Sequence, residues 1–172
     1  MGYLDKKTVY LCGSITALAD DGQGWRKTLT PTLEGYGLIV DDPTKTTSNN
    51  IGEVGDNKLY FRNLVKERNF ELLKKEFFPI VRKDLRSVDK ADFLICSYDP
   101  EVHLVGTIHE LVVASLQRKP ILLHCEDSKL DKLNPWILTF VKNGCMFTDW
   151  NKMLEYLHEI DNNKFNTSYW TL

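Results

Sequence analysis

The chain has 172 residues, 42% of them hydrophobic and 27% charged, with a formal net charge of −2. That balance fits one globular domain able to bury a core without disulfides or metal. It argues against a strongly basic nucleic-acid-binding surface, and no apolar stretch approaches the ~20 residues needed to span a membrane. Cys12, Cys96, Cys125 and Cys145 are widely spaced, with no CxxC pair and no zinc-like Cys/His cluster. They read as small buried hydrophobes of a reducing compartment. The N-terminus leads into a strand-like run rather than a signal peptide, so the expected location is the cytoplasm.

In chain order, Thr8-Val9-Tyr10-Leu11-Cys12 predicts a buried strand closed by Gly13-Ser14. Residues 25–34 have a helical pattern that Pro31 interrupts. Leu38-Ile39-Val40 is the second strand, ended by Asp41-Asp42-Pro43. Residues 44–56, rich in Thr, Ser, Asn and Gly, read as an exposed loop. Residues 58–78 form a long amphipathic insert, read as a surface helix packed on the sheet, with a lid or a dimer contact as alternatives. Residues 80–90 place Val81, Leu85 and Val88 on one helical stripe. Phe93-Leu94-Ile95-Cys96 is the third strand. Residues 105–117 follow as the clearest helix, with Ile108, Leu111, Val112 and Ser115 at helical spacing. Pro120-Ile121-Leu122-Leu123-His124 is the fourth strand and Cys145-Met146-Phe147 a short fifth. Residues 151–160 form the last helix, and the tail 161–172 is loose unless Tyr169-Trp170 dock.

Continuous apolar runs suit strands covered on both faces. Strand–helix alternation then implies a single-domain α/β fold over residues 1–160. The expected architecture is an open, mainly parallel five-stranded sheet with helices on both faces, flavodoxin- or Rossmann-like, with a helical insert after the second strand.

In such sheets ligands bind beyond the carboxyl ends of the strands, at helix N-termini. Three segments converge there: Gly13-Ser14-Ile15-Thr16, Tyr98-Asp99-Pro100-Glu101-Val102-His103, and Gly106-Thr107-Ile108-His109-Glu110. GxGxxG and Walker A patterns are absent, so dinucleotide and P-loop readings are unsupported. Glu110 lies about one turn into its helix, where the dipole favours an acid with or without a function. A carboxylate in that mouth can attack an anomeric carbon, and the leaving group then needs a proton from a second acid. Asp84, Asp92 and Asp99 are the candidates, with Asp92 better placed to cap the third strand. His103 and His109 are auxiliary acid–base candidates.

Val9-Tyr10-Leu11-Cys12-Gly13-Ser14-Ile15 resembles the opening strand and substrate loop of nucleoside 2-deoxyribosyltransferases and the related 2'-deoxynucleoside 5'-phosphate N-hydrolases. Asp84-Leu85 with Val88-Asp89-Lys90-Ala91-Asp92 is similar to the family's acidic helix and following strand. Gly106-Thr107-Ile108-His109-Glu110-Leu111, then Ala114 and Lys119-Pro120, resembles its nucleophile helix. These matches span most of the chain in the family's order. The resemblance implies Glu110 as nucleophile toward the deoxyribosyl C1' and Asp84 as the group that binds and protonates the departing base. It also implies a sugar side lined by Tyr10, Gly13 and Ser14, and no cofactor. Asn143 stands where family members lend a polar residue to a neighbouring subunit's site, which implies a homodimer or higher homo-oligomer. The small-molecule partner is a nucleoside or nucleotide. Asp99, His103, Gly106 and Thr107 complete the candidate substrate contacts.

Two positions depart from the pattern. Leu104 replaces the usual Asp or Ser, and Thr16 replaces the hydrolases' basic residue. Nucleoside against 5'-monophosphate, and base against water as acceptor, therefore stay open. So do two other readings: a catalytically silent nucleotide sensor, and a phosphoribohydrolase of the lysine-decarboxylase-like class, which shares Gly106-Thr107 and Glu110.

Overall fold

The computed structural model describes residues 2–15, 17–45, 56–142, 144–162 and 170. Thr16, Asn143, Tyr169 and most of the loop expected at 44–56 lie outside the described residues. The five strands are β1 (Thr8–Gly13), β2 (Ile39–Asp41), β3 (Phe93–Ser97), β4 (Ile121–His124) and β5 (Met146–Phe147). They pair in the order β2-β1-β3-β4-β5, every pair parallel. Asp92 caps the sheet entry, its carboxylate accepting from the Thr8 N–H at 2.6 Å.

Strand alternation splits the core into two layers. Val9, Leu11, Phe93 and Ile95 face α1 (Gln23–Gly35) and α6 (Trp150–Asp161), packing with Leu29, Leu33, Met153 and Leu157. Tyr10, Cys12, Leu94 and Cys96 face the opposite way, with Val88 of α3 (Phe70–Lys90) and Leu111 and Ala114 of α4 (Val105–Leu116). Both sheet faces are thus dry, which explains the unbroken apolar runs, and each fully withdrawn aliphatic side chain contributes about 1.5–3 kcal/mol. All four cysteines are buried and unbridged. In the tail, the Trp170 ring docks on the first layer, 1% exposed and edge-on to Phe93 at 4.9 Å. Its indole N–H donates to the Tyr156 hydroxyl at 3.0 Å, and its carbonyl accepts from the Tyr3 hydroxyl.

Two helix boundaries differ from those expected. Helix α1 runs through Pro31, because Pro31 and Lys27, whose carbonyl loses its donor, both face solvent while Leu29, Thr30 and Leu33 are buried. The 58–78 insert is two helices, with a break at 67–69, and the second continues into the segment read separately at 80–90. Helix α2 (Asp56–Lys66) ends at a turn with Arg68 at φ 56°, and Asn69 caps α3, its side chain accepting from the Leu72 N–H. Exposed Pro79 then sits inside one 21-residue helix that joins the insert to the stripe read at 80–90. One 3-10 helix covers Asp127–Lys132, followed by the short helix α5 (Pro135–Leu138).

Candidate active site

From β1 the chain crosses to β2 on one side of the sheet, and the next strand, β3, lies on the other. Connections diverging from neighbouring strands open a crevice at their carboxyl ends. A cavity of about 340 Å³ lies there, walled by the end of β1, one face of α3 and the start of α4. Gly13 makes a close approach between strands: at φ 151° its missing Cβ would sit 2.8 Å from the Ser97 carbonyl oxygen. Any side chain there would push β1 from β3.

Helix α4 buries Thr107, Glu110, Leu111 and Ala114 on one face, which carries the Glu110 carboxylate into the cavity wall, only 9% exposed. Tyr10 reaches it from β1, its hydroxyl donating to Glu110 Oε1 at 2.6 Å. Burial, then the charges of Glu110 and Asp84, hold the Tyr10 phenol well above its ordinary pKa, so it remains a donor. The bond fixes the orientation of the Glu110 carboxyl group.

Asp84 lines the same cavity from α3. Burial pushes its carboxyl up to about 6; Lys83 opposes that shift, Asp41 adds to it and Arg26 opposes it. A carboxyl poised near neutrality in the same cavity as an oriented carboxylate is the pairing that acid-assisted displacement requires. Among the described residues no Lys or Arg lines the cavity, and no cluster of three or more His, Cys, Asp or Glu is arranged to hold a metal.

Arg26 shapes the cavity from behind. Its guanidinium is fully buried and donates to the carbonyls of Leu11 (3.2 Å), Gly22 (2.7 Å) and Gly13 (3.1 Å). Asp42 lies 3.6 Å from its Nε and is fixed by the Thr44 N–H and hydroxyl at 2.9 and 2.7 Å. One buried cation thus clamps the end of β1, the turn before α1 and the exit of β2. The ring of Trp25 lies 4.6 Å from that guanidinium and stacks on Trp150, which stacks on His124.

Of the residues singled out from the sequence, Tyr10, Gly13, Ser14, Asp84, His103, Gly106, Thr107 and Glu110 all line this cavity, as does His109. Asp99 does not: its carboxylate bonds the Lys129 ammonium at 2.6 Å, which ties the loop after β3 to the 3-10 turn. Asn143 and Thr16 lie outside the described residues. Sequence reasoning missed Arg26 and the apolar wall of Pro43, Phe77, Val81 and Leu85. The wall had a signal, because Phe77, Val81, Asp84 and Leu85 share one helical face once the helix continues through Pro79.

Fold and pocket together define the class: an open, doubly wound α/β protein with two carboxylates in a cavity at the switch point. No family model matches the sequence, and no curated protein does. Solved structures do match. The chain is similar to a 2-deoxyribosyltransferase from the psychrotolerant bacterium Bacillus psychrosaccharolyticus, with 16% identity and TM-score 0.56 over 87% of this chain and 91% of that one. It is similar to a 2-desoxiribosyltransferase from Leishmania mexicana, with 17% identity and TM-score 0.57 over 89% and 97%. A conserved protein from Enterococcus faecalis V583 matches with 16% identity and TM-score 0.61 over 90% and 98%. The fold is therefore the one seen in 2-deoxyribosyltransferase structures, over nearly the whole chain.

Proposed function

We propose that the protein cleaves the N-glycosidic bond of a 2'-deoxynucleoside through a covalent deoxyribosyl–Glu110 intermediate. The observation that carries this reading is the buried Glu110 carboxylate held by Tyr10 at 2.6 Å inside the cavity that also contains Asp84. The fold shared with 2-deoxyribosyltransferases supports it. A Glu110 oxygen attacks C1', the C1'–N bond breaks with its electron pair leaving on the base, and Asp84 supplies the proton the base needs. A second base, or water, then gives its proton to Asp84 as it attacks C1', and the ester bond breaks with its electron pair leaving on Glu110, which restores both the carboxylate and the acid. Two carboxyl groups, with no Lys or Arg among the described residues of the lining, favour a nucleoside over its doubly charged 5'-monophosphate.

The test is base release from a panel of 2'-deoxynucleosides and their 5'-monophosphates, with and without free adenine. Release from nucleosides ahead of monophosphates is expected. As Asp84 must be protonated to act as the acid, kcat/KM falls as pH rises above about 6; Asp84→Asn lowers the rate and removes that limb. No release from any member overturns the reading, and thermal stabilisation by a nucleoside without release favours a silent sensor.

We also propose a homo-oligomer, supported by the outward face of α4, where Val105 and Leu116 are each 80% exposed and Ile108 lies between them. Light scattering of the eluted protein should give a multiple of the 19.9 kDa chain mass; a monomer at micromolar concentration rules it out.

A further inference from the structure

The α2–α3 insert reaches the cavity with one face of one helix. Phe77, Val81, Asp84 and Leu85 line it together, at spacings that put an aromatic ring and two aliphatic side chains in a row beside a single carboxyl. Phe77 is not a loose ring. It packs edge-on against Phe61 of α2, centroids 5.0 Å apart at 88°, and Phe61 is itself buried. Helix α2 is fastened in turn to the segment after β1, where the Lys58 ammonium donates to the Leu18 carbonyl at 3.1 Å and lies 3.5 Å from Asp21. That segment begins with Gly13 and Ser14, on the polar side of the cavity.

The two sides differ in what they can hold. A sugar against Phe77, Val81 and Leu85 would bury its hydroxyls with nothing to bond, an expensive arrangement. A heteroaromatic base has apolar faces and polar edges, which suit a wall that offers the Phe77 ring for a face and the Asp84 carboxyl for an edge. We propose that Phe77 is the stacking platform for the nucleobase and that the α2–α3 insert is the element that determines which base the site takes. This rests on the N-glycosidic reading for the identity of the ligand, but base binding is measurable without turnover.

Calorimetry with free adenine and free cytosine, and separately with 2-deoxyribose, tests it on the parent, Phe77→Leu and Phe77→Tyr. Phe77→Leu keeps an apolar side chain against Phe61 but removes the ring face, so base affinity should fall roughly tenfold to a hundredfold. Deoxyribose affinity should stay as in the parent, and Phe77→Tyr should keep base affinity. With a nucleoside that is turned over, the loss appears in KM rather than kcat. Val81→Asn, which leaves the Phe61 contact intact, should weaken base binding in the same sense and covers the case of a Phe77→Leu protein that does not fold. Parent-like base affinity in Phe77→Leu, or equal losses for base and sugar, overturns the proposal, as does a parent that binds neither base. A parent that binds bases through Phe77 but releases none from any nucleoside leaves this inference standing and sinks the reaction assigned above.

Discussion

Glu110→Gln should release base from a deoxynucleoside on the order of a thousandfold more slowly than the parent, or worse, a barrier rise of about 4 kcal/mol. The substitution is nearly isosteric, and its amide oxygen still accepts from Tyr10, so the 2.6 Å contact and the packing of α4 survive. What is lost is the oxygen that bonds C1' in the proposed reaction, and removing a covalent nucleophile typically costs this much or more. Base release followed by chromatography checks the rate. Mass spectrometry of denatured parent enzyme, quenched during turnover, should show a deoxyribosyl adduct that is missing from the variant. A variant that turns over like the parent would remove Glu110 from the chemistry. Asp84→Asn, by contrast, should leave the adduct able to form from substrates with good leaving groups, since it removes only the proton source.

Arg26→Met should destabilise the fold by about 3–5 kcal/mol, the usual result of leaving one half of a buried ion pair without its partner. Asp42 would lose the cation 3.6 Å away, and the carbonyls of Leu11, Gly13 and Gly22 would lose their donors in a site without solvent. For a chain of this length the midpoint of thermal unfolding should fall by roughly 10 °C or more. Arg26→Lys should recover only part of that loss, because one ammonium cannot span three carbonyls that a planar guanidinium reaches at once. A midpoint within about 2 °C of the parent for Arg26→Met would show that the clamp contributes little. The same substitution loosens the turn at Gly13 and Ser14, so in protein that remains folded it should raise KM for nucleosides.

Much of the architecture is legible in the sequence. The strands announced themselves because a strand covered on both faces has no polar side, and the runs at Val9-Tyr10-Leu11 and Phe93-Leu94-Ile95 are buried throughout. The helix carrying Glu110 was legible for the same reason, its apolar residues recurring with the helical period. Family likeness read from ordered motifs agrees with the fold of the 2-deoxyribosyltransferase structures. Pro31 was the weak point. Pro31 and Pro79 both sit on exposed helix faces, where water takes over the carbonyl whose donor is missing, so neither ends its helix. Asp99 looked like a site residue because its loop follows a central strand, but nothing local in the sequence shows that Lys129 will claim its carboxylate.

The sequence by itself determined the five strands and the main helices that follow them, and that Glu110 stands near a helix start beyond a strand. Both follow from local periodicity, which records how each segment is buried. Only the tertiary structure decided what Glu110 meets. Its hydrogen-bond partner Tyr10 is 100 residues away and reaches it because β1 lies in the sheet on the same face that α4 covers. The wall from Phe77 to Leu85, the Arg26 clamp on Asp42 and the environment that raises Asp84 depend likewise on packing between distant segments. Such encounters depend on strand order and helix packing, which no short stretch of residues encodes.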